Sequence, residues 1–261
     1  MTAAEQWAAE LEAWRIDPEI LAAAAPESPY GFPPELFAVR DDADESPLID
    51  VARTALRRGG TVLDVGAGAG AGSLGLADSV GHLHAVDPQT SMLQALEEAA
   101  RDRGIPVTTY EGRWPDVADQ VPVCDVVVCA HVVYNVPALV PFAMALTRHA
   151  RALVAVELLG THPWLRLKPM WETVHQQPRP SGPTAELALA ALREAGLDPA
   201  VREVVRDPQV RTGALQEAWV DFTRRQLCLP PDRRAEVEEL MRRNPPRPRR
   251  SVVLSWPGSG T

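Results

Sequence analysis

Val62-Leu63-Asp64-Val65-Gly66-Ala67-Gly68-Ala69-Gly70 decides the fold of this chain. An apolar strand runs straight into closely spaced glycines, and a helix is expected to open at about Ser73. Glycines belong where a backbone turns sharply and a ligand must approach without a Cβ in the way. Backbone N–H groups at the start of a following helix can receive a polar or anionic group. The stretch also contains a formal G-x-G-x-x-G at Gly70, Gly72 and Gly75, which alone is weak evidence for a nucleotide.

Asp64 sharpens the reading. A dinucleotide brings a pyrophosphate to this turn, and a carboxylate two residues before Gly66 would repel it. A ligand with cationic groups and no phosphate suits the same carboxylate. Asp87 closes the next apolar run, 19 residues after Gly68. At the carboxyl edge of a parallel sheet it can accept hydrogen bonds from both hydroxyls of a ribose.

Outward from this centre, strands alternate with helices, the pattern of a doubly wound parallel sheet. A helix runs from Ser46-Pro47 to about Arg58, with strands at Thr61–Val65, His82–Val86, Pro106–Thr109, Val123–Cys129 and Ala152–Glu157. Helices follow at about Thr90–Arg103 and from about Pro137, with Asn135 as the cap of the latter. Val123–Cys129 is the most apolar strand, as expected of one buried on both faces. Thr161–Pro183 is rich in proline and tryptophan and reads as irregular. A helix at Thr184–Glu194, a strand at Ala200–Val205, helices at 212–228 and 232–243, and a strand at Ser251–Trp256 complete the chain. Residues 1–46 form a helical cap, with Trp7, Leu11 and Trp14 on one face. The proline-rich stretch Ser28-Pro29-Tyr30-Gly31-Phe32-Pro33-Pro34 reads as a loop or lid. Residues 47–261 form the main domain, with a helical insertion at about 207–250.

Leu63–Gly70 and Ala85-Val86-Asp87-Pro88 resemble the first and second motifs of the class I S-adenosylmethionine (SAM)-dependent methyltransferases, and the irregular segments around Ser28-Pro29-Tyr30-Gly31-Phe32-Pro33 and Thr161-His162-Pro163-Trp164 resemble those of a bacterial small-molecule branch of that family. The resemblance covers roughly residues 47–206 and the last strand. It implies an α/β, Rossmann-like doubly wound seven-stranded sheet, mostly parallel with an antiparallel last strand. It implies that Asp64, Gly66, Ala67 and Gly68 line the methionine half of SAM and that Asp87, followed by Pro88, holds the ribose. Met92 matches the position that packs on the adenine, and Ala130 borders the ligand at the end of the fourth strand. Tyr110-Glu111-Gly112-Arg113-Trp114-Pro115 departs from the acidic-plus-small pattern usual at the adenine edge, so Arg113 or Trp114 covers that edge instead. The product would be S-adenosylhomocysteine (SAH).

Methyl transfer from a sulfonium is an in-line displacement in which alignment does most of the work. A base helps only where the acceptor must lose a proton. His131 after the fourth strand is the best-placed base, its ordinary pKa being near neutrality. Tyr134 is a lining candidate, and Glu157 and His162 stand similarly after the fifth strand. Trp164 and Trp171 offer an aromatic wall. Trp219 and Phe222, on the inserted helices, cover the substrate end or form a homodimer contact.

Composition limits the alternatives. The 261 residues carry 26 basic and 35 acidic side chains, a net charge of −9. That balance opposes a nucleic-acid partner, which needs clustered positive charge. The run Arg242–Arg250 is read as a solvated connection rather than an anionic-ligand patch. No apolar run reaches the roughly 18–20 residues of a membrane span, and the N-terminus lacks a signal-peptide layout, so the expected location is the cytoplasm. Cys124, Cys129 and Cys228 are read as reduced thiols, the first two as core filler; no Cys/His cluster has zinc spacing. An NAD(P)-dependent oxidoreductase is the first competitor. Asp64 opposes it, as does the lack of a Tyr-x-x-x-Lys pair: the sole lysine is Lys168, with Trp164 four before it. A non-catalytic SAM-binding protein is the second competitor.

Overall fold

A computed structural model describes residues 1–24, 27–33, 36, 46–208 and 211–261. Seven strands form one sheet: β1 (Gly60–Val65), β2 (Val80–Asp87), β3 (Val107–Glu111), β4 (Cys124–Ala130), β5 (Ala150–Leu159), β6 (Ala200–Arg206) and β7 (Arg249–Pro257). Their spatial order is β3-β2-β1-β4-β5-β7-β6. Strands β1 to β5 pair in parallel, whereas β7 lies antiparallel to both β5 and β6. Chain order reverses at β1 and β4, and the crevice outside the carboxyl ends of strands at such a switch point is where ligands bind in open α/β sheets.

The described helices are α1 (Ala3–Glu12), α2 (Pro18–Ala23), α3 (Pro47–Ala55), α4 (Thr90–Asp102), α5 (Leu139–His149), α6 (Lys168–His175), α7 (Ala185–Glu194), α8 (Gly213–Gln226) and α9 (Arg234–Arg243). Side chains alternate across the sheet. Val62, Val126 and Val128 meet Leu48 and Ile49 of α3 and Leu93 and Leu96 of α4 on one face. Leu63, Val65 and Val127 meet Trp7 of α1, Phe142 of α5 and Leu192 of α7 on the other. A third apolar cluster joins Ile16 and Trp171 to Val220, Leu227 and Leu240, so α6, α8 and α9 form a layer of their own.

Three local expectations change. Instead of a helix from Ser73 there is a single 3-10 turn, Leu74–Leu76, before β2 begins at Val80. Three glycines within the segment (Gly70, Gly72, Gly75) weaken any helix, and too few residues remain to form one. Thr161–Pro183 is more regular than expected: a 3-10 turn at Pro163–Leu167 leads into α6. Pro169 lies in the first turn of α6, where a missing N–H costs nothing. Asn135 ends a 3-10 turn, and α5 begins later, at Leu139.

α1 is closed by a capping box between Thr2 and Glu5. It packs on α7, and Trp7 is wholly buried with its indole N–H donating to the Val136 carbonyl at 2.9 Å. Of the expected lid, Pro34 lies outside the described residues. Tyr30 stacks on Trp164 with 5.5 Å between ring centroids, Phe32 lies 5.8 Å from Phe222, and the Gln89 side chain donates to the Phe32 carbonyl at 3.1 Å. That segment therefore spans from the end of β2 to the inserted helices. Among the described residues no helix is long and apolar enough to cross a membrane.

Candidate functional site

The turn after β1 is fixed by its neighbours. Gly66 and Ala67 both donate their N–H groups to the Val86 carbonyl of β2, at 2.8 and 3.0 Å. Gly66 has φ +70°, and a Cβ there would stand 2.2 Å from Cγ2 of Val132. No side chain fits between the turn and the loop after β4. Gly68 has φ +52° with open space where its Cβ would be, and its N–H donates to Oδ2 of Asp87 at 2.9 Å. Oδ1 of Asp87 accepts from the Gln89 N–H at 2.8 Å. Asp87 thus ties the glycine turn to the start of α4, with one bond on each oxygen and acceptor capacity left on both. Burial holds its pKa above the usual carboxylate range, against the two backbone bonds.

Asp64 is the anomaly of the site. It is 1% exposed, and among the described residues neither carboxylate oxygen has a hydrogen-bond partner. The Ser73 hydroxyl is also buried without a bond; it offsets part of the effect of burial on Asp64 without reaching bonding geometry. Desolvation raises the Asp64 pKa to about 7, and the charge of Asp87 adds to the rise. Gly72 leaves room beside it: a Cβ there would meet both Asp64 oxygens at 3.5 Å and the Ala130 Cβ at 3.2 Å. Buried charges are ordinarily paired. A carboxylate left alone beside a glycine cradle is arranged for a cationic partner, and SAM, with its sulfonium and ammonium, fits it.

The other residues expected at the cofactor fall differently. Met92 is buried at the first turn of α4, outside the three main apolar clusters. Pro88 and Arg113 are exposed. Trp114 turns into the core, packing edge-on against His149 at 4.7 Å, away from the glycine turn.

Beyond β4, His131 has a left-handed backbone, φ +60°, and its N–H donates to the Glu157 carbonyl at 2.8 Å. The residue as a whole is exposed. Desolvation by the surrounding chain still holds its pKa below the ordinary histidine range; Glu157 opposes that, and Arg206 and Arg249 add to it. The Tyr134 hydroxyl is committed to the backbone of Leu159, donating to its carbonyl at 3.0 Å and accepting from its N–H. Burial pushes its pKa up. His162 is buried, stacked on Trp14 at 4.2 Å, and its Nδ1 accepts from the Trp164 N–H at 3.2 Å. Burial, with a contribution from Arg179, lowers its pKa to about 3, so the ring is neutral. Trp171 is enclosed beneath the Arg179 guanidinium at 4.4 Å. Glu157 is buried and accepts from Ser46 at 3.3 Å and from Ser251.

Of the arginines near this end, Arg166, Arg206 and Arg211 escape a reading of the sequence alone, while Arg249 belongs to the basic run Arg242–Arg250. Arg206 ends β6 and Arg249 begins β7, opposite each other in the register. Arg166 and Arg211 both stand over the Trp219 ring, at 4.6 and 4.0 Å. The basic run divides accordingly: Arg242 and Arg243 pair with Glu239, and Arg250 with Glu186 and Glu203. Arg249, at the start of β7, is exposed. The signal was topological: a strand that returns antiparallel starts at the edge where the parallel strands end.

Comparison with known proteins bears on the same region. Residues 62–154 match the family model of a methyltransferase domain. No curated protein matches the sequence. The solved structure of a SAM-dependent methyltransferase from Thiobacillus denitrificans, in complex with S-adenosyl-L-homocysteine, is similar in fold. Its TM-score is 0.56 at 16% identity, covering 92% of this chain and 98% of that one. Magnesium protoporphyrin IX methyltransferase from Synechocystis, with bound SAH, gives a TM-score of 0.51 at 15% identity, covering 83% and 81%.

Proposed function

Because this chain carries a SAM-dependent methyltransferase domain, we propose that it methylates a small molecule held above the carboxyl ends of β4 and β5. The observation that carries the site assignment is Asp64, a buried carboxylate beside the glycine turn with no partner among the described residues. Asp64 holds the cationic end of SAM, with Gly66, Ala67 and Gly68 giving backbone clearance and Ala130 bordering the same space. Asp87 accepts the ribose hydroxyls on the lone pairs its two backbone bonds leave free. Met92 packs on the adenine. Of the two candidates for the adenine edge, exposed Arg113 suits the role better than Trp114, which is engaged with His149; Pro88 shapes the turn between Asp87 and α4.

SAM bound here would supply an electrophilic methyl on sulfur. The chain's own task is alignment and exclusion of water. His131, kept neutral at physiological pH by its lowered pKa, takes the proton where the acceptor must lose one. Tyr134, its hydroxyl spent on Leu159, positions the loop that carries His131 rather than handling a proton. His162, neutral and stacked on Trp14, forms an aromatic wall with Trp164. The inserted helices cover the substrate end, a reading supported by the approach of Phe222 to Phe32. The net charge of −9 favours a small acceptor over nucleic acid, and three buried free thiols suit the bacterial cytoplasm.

The test is Asp87→Ala. Loss of the ribose acceptor and of the tether to Gly68 should weaken SAM binding by about 1–3 kcal/mol in calorimetry. Unchanged affinity would remove Asp87 from the site.

A further inference from the structure

The turn after β5 carries a histidine whose ring is held by its neighbours in one tautomer. Nδ1 of His162 accepts the Trp164 N–H at 3.2 Å and so caps the 3-10 turn Pro163–Leu167. One ring face stacks on Trp14 at 4.2 Å, with the planes 14° apart. Tyr134 meets the ring edge-on at 5.5 Å and Trp164 at 6.4 Å. A neutral imidazole that accepts at Nδ1 carries its proton on Nε2. Burial keeps this one neutral, since its pKa is lowered to about 3. His162 is 7% exposed; among the described residues its Nε2–H has no hydrogen-bond partner, and unlike the Asp64 carboxylate it is not sealed from solvent.

The other polar groups around this ring are spent. The Tyr134 hydroxyl is bonded to both backbone groups of Leu159, which fixes the loop after β4 to the end of β5. The Arg179 guanidinium donates to the carbonyls of Trp14 at 2.8 Å and Arg15 at 3.3 Å, and it lies over the Trp171 ring. What remains beside Nε2–H is aromatic. From Trp164 the row of rings continues to Tyr30, stacked at 5.5 Å and 48% exposed. A lone neutral donor therefore stands among rings at the carboxyl ends of β4 and β5. An aromatic surface favours a planar, uncharged molecule, and a desolvated N–H discriminates strongly for one that brings it an oxygen.

We propose that the methyl acceptor is an uncharged ring compound bearing a carbonyl or hydroxyl oxygen, and that His162 receives this oxygen with its Nε2–H. This rests on the methyltransferase reading and names the substrate class of that site. His162 is then a specificity-determining donor that keeps its proton throughout, and the row from Trp164 to Tyr30 lies along the ring of the acceptor.

The test titrates the SAH-loaded protein with acetophenone, its oxygen-free isostere ethylbenzene, and benzoate, in the wild type and in His162→Gln and His162→Asn. A glutamine amide can place an N–H near the Nε2 position but does not cap the turn; asparagine caps it but stops short of that position. The expected result is that the wild type binds acetophenone about tenfold or more tightly than ethylbenzene and more tightly than benzoate. His162→Gln should keep that preference and His162→Asn lose it. The opposite order in the two variants would show that His162 only caps the turn, and would overturn the proposal. So would equal binding of acetophenone and ethylbenzene, tighter binding of benzoate, or no binding of acetophenone. Nitrogen-15 NMR of the wild-type histidines tests the donor without any substitution: the His162 ring should stay in the neutral Nε2–H form from pH 5 to 8, and a ring that titrates there or carries its proton on Nδ1 refutes it. SAH affinity is read in the same titrations: its absence would defeat the methyltransferase reading itself, whereas intact SAH affinity without a preference for acetophenone defeats this acceptor class alone.

Discussion

At the scale of single residues, Asp64 concentrates the cost and the use of the site. Its folded-state pKa, about 7, lies above the ordinary 3.8. Between those values the folded protein binds the extra proton, so Asp64 costs nothing at acid pH and destabilises the ligand-free fold increasingly as pH rises to about 7. Asp64→Asn should therefore stabilise the ligand-free protein at pH 8 by about 2–4 kcal/mol and much less at pH 5, a difference that thermal melts at the two pH values would read. If Asp64 is the partner of the SAM cation, as proposed, the same substitution removes it, and calorimetry should find affinity down by tenfold or more. Because a cation prefers the ionised carboxylate, wild-type affinity for SAM should also fall as pH drops below about 7, by up to about tenfold per unit. A flat affinity profile from pH 5 to 8 would contradict this account of Asp64. Asp64 and Asp87 were legible in the sequence because each stands beside a glycine turn or a strand end, where a local pattern assigns it. The pairing of Arg206 with Arg249 was not, since the two lie in separate segments that only the topology of β6 and β7 brings opposite each other.

At the scale of elements, the glycine turn separates two requirements that the sequence presents as one. Gly66 is needed by the fold. Gly66→Ala would force a methyl to 2.2 Å from Val132 in a left-handed backbone, and chemical denaturation should show a loss of about 1–3 kcal/mol. Gly68 is left-handed too, yet a methyl there meets open space. Gly68→Ala should cost stability only about 1 kcal/mol while weakening SAM binding at least tenfold, because the added methyl intrudes where the ligand approaches. Equal effects of the two substitutions on affinity would argue against a ligand over Gly68. The missing helix after Ser73 and the unforeseen α6 have one cause: glycine and proline bias local conformation, but position within a turn decides what they do. Three glycines between Gly70 and Gly75 left room only for a 3-10 turn, whereas Pro169 fell where a helix tolerates it.

At the scale of the whole molecule, the strand–helix alternation was readable because the central strands β1 and β4 are apolar runs buried over most of their length and bounded by turn residues, whereas β3, at the sheet edge, is only partly buried. The antiparallel direction of the last strand came from family resemblance rather than from any period in the sequence, and its place between β5 and β6 emerges only in the fold. The N-terminal segment reads in the sequence as a cap set apart from residues 47–261. In the fold α1 shares the apolar cluster of α5 and α7, and Trp7 sits at its centre. We propose that it unfolds with the sheet. Trp7→Ala should lower stability by about 3–5 kcal/mol, and melting should remain a single transition. A separate early transition, with the sheet unaffected, would show that the cap is an independent unit.

The central claim, a cofactor with cationic groups over the carboxylate of Asp64, is tested most directly by titrating the purified protein with SAM, SAH, NAD and NADP in parallel. The account predicts micromolar binding of SAM and SAH and none of the dinucleotides. Binding of NAD or NADP alone would contradict it, since a pyrophosphate would then lie at a turn whose carboxylate should repel it.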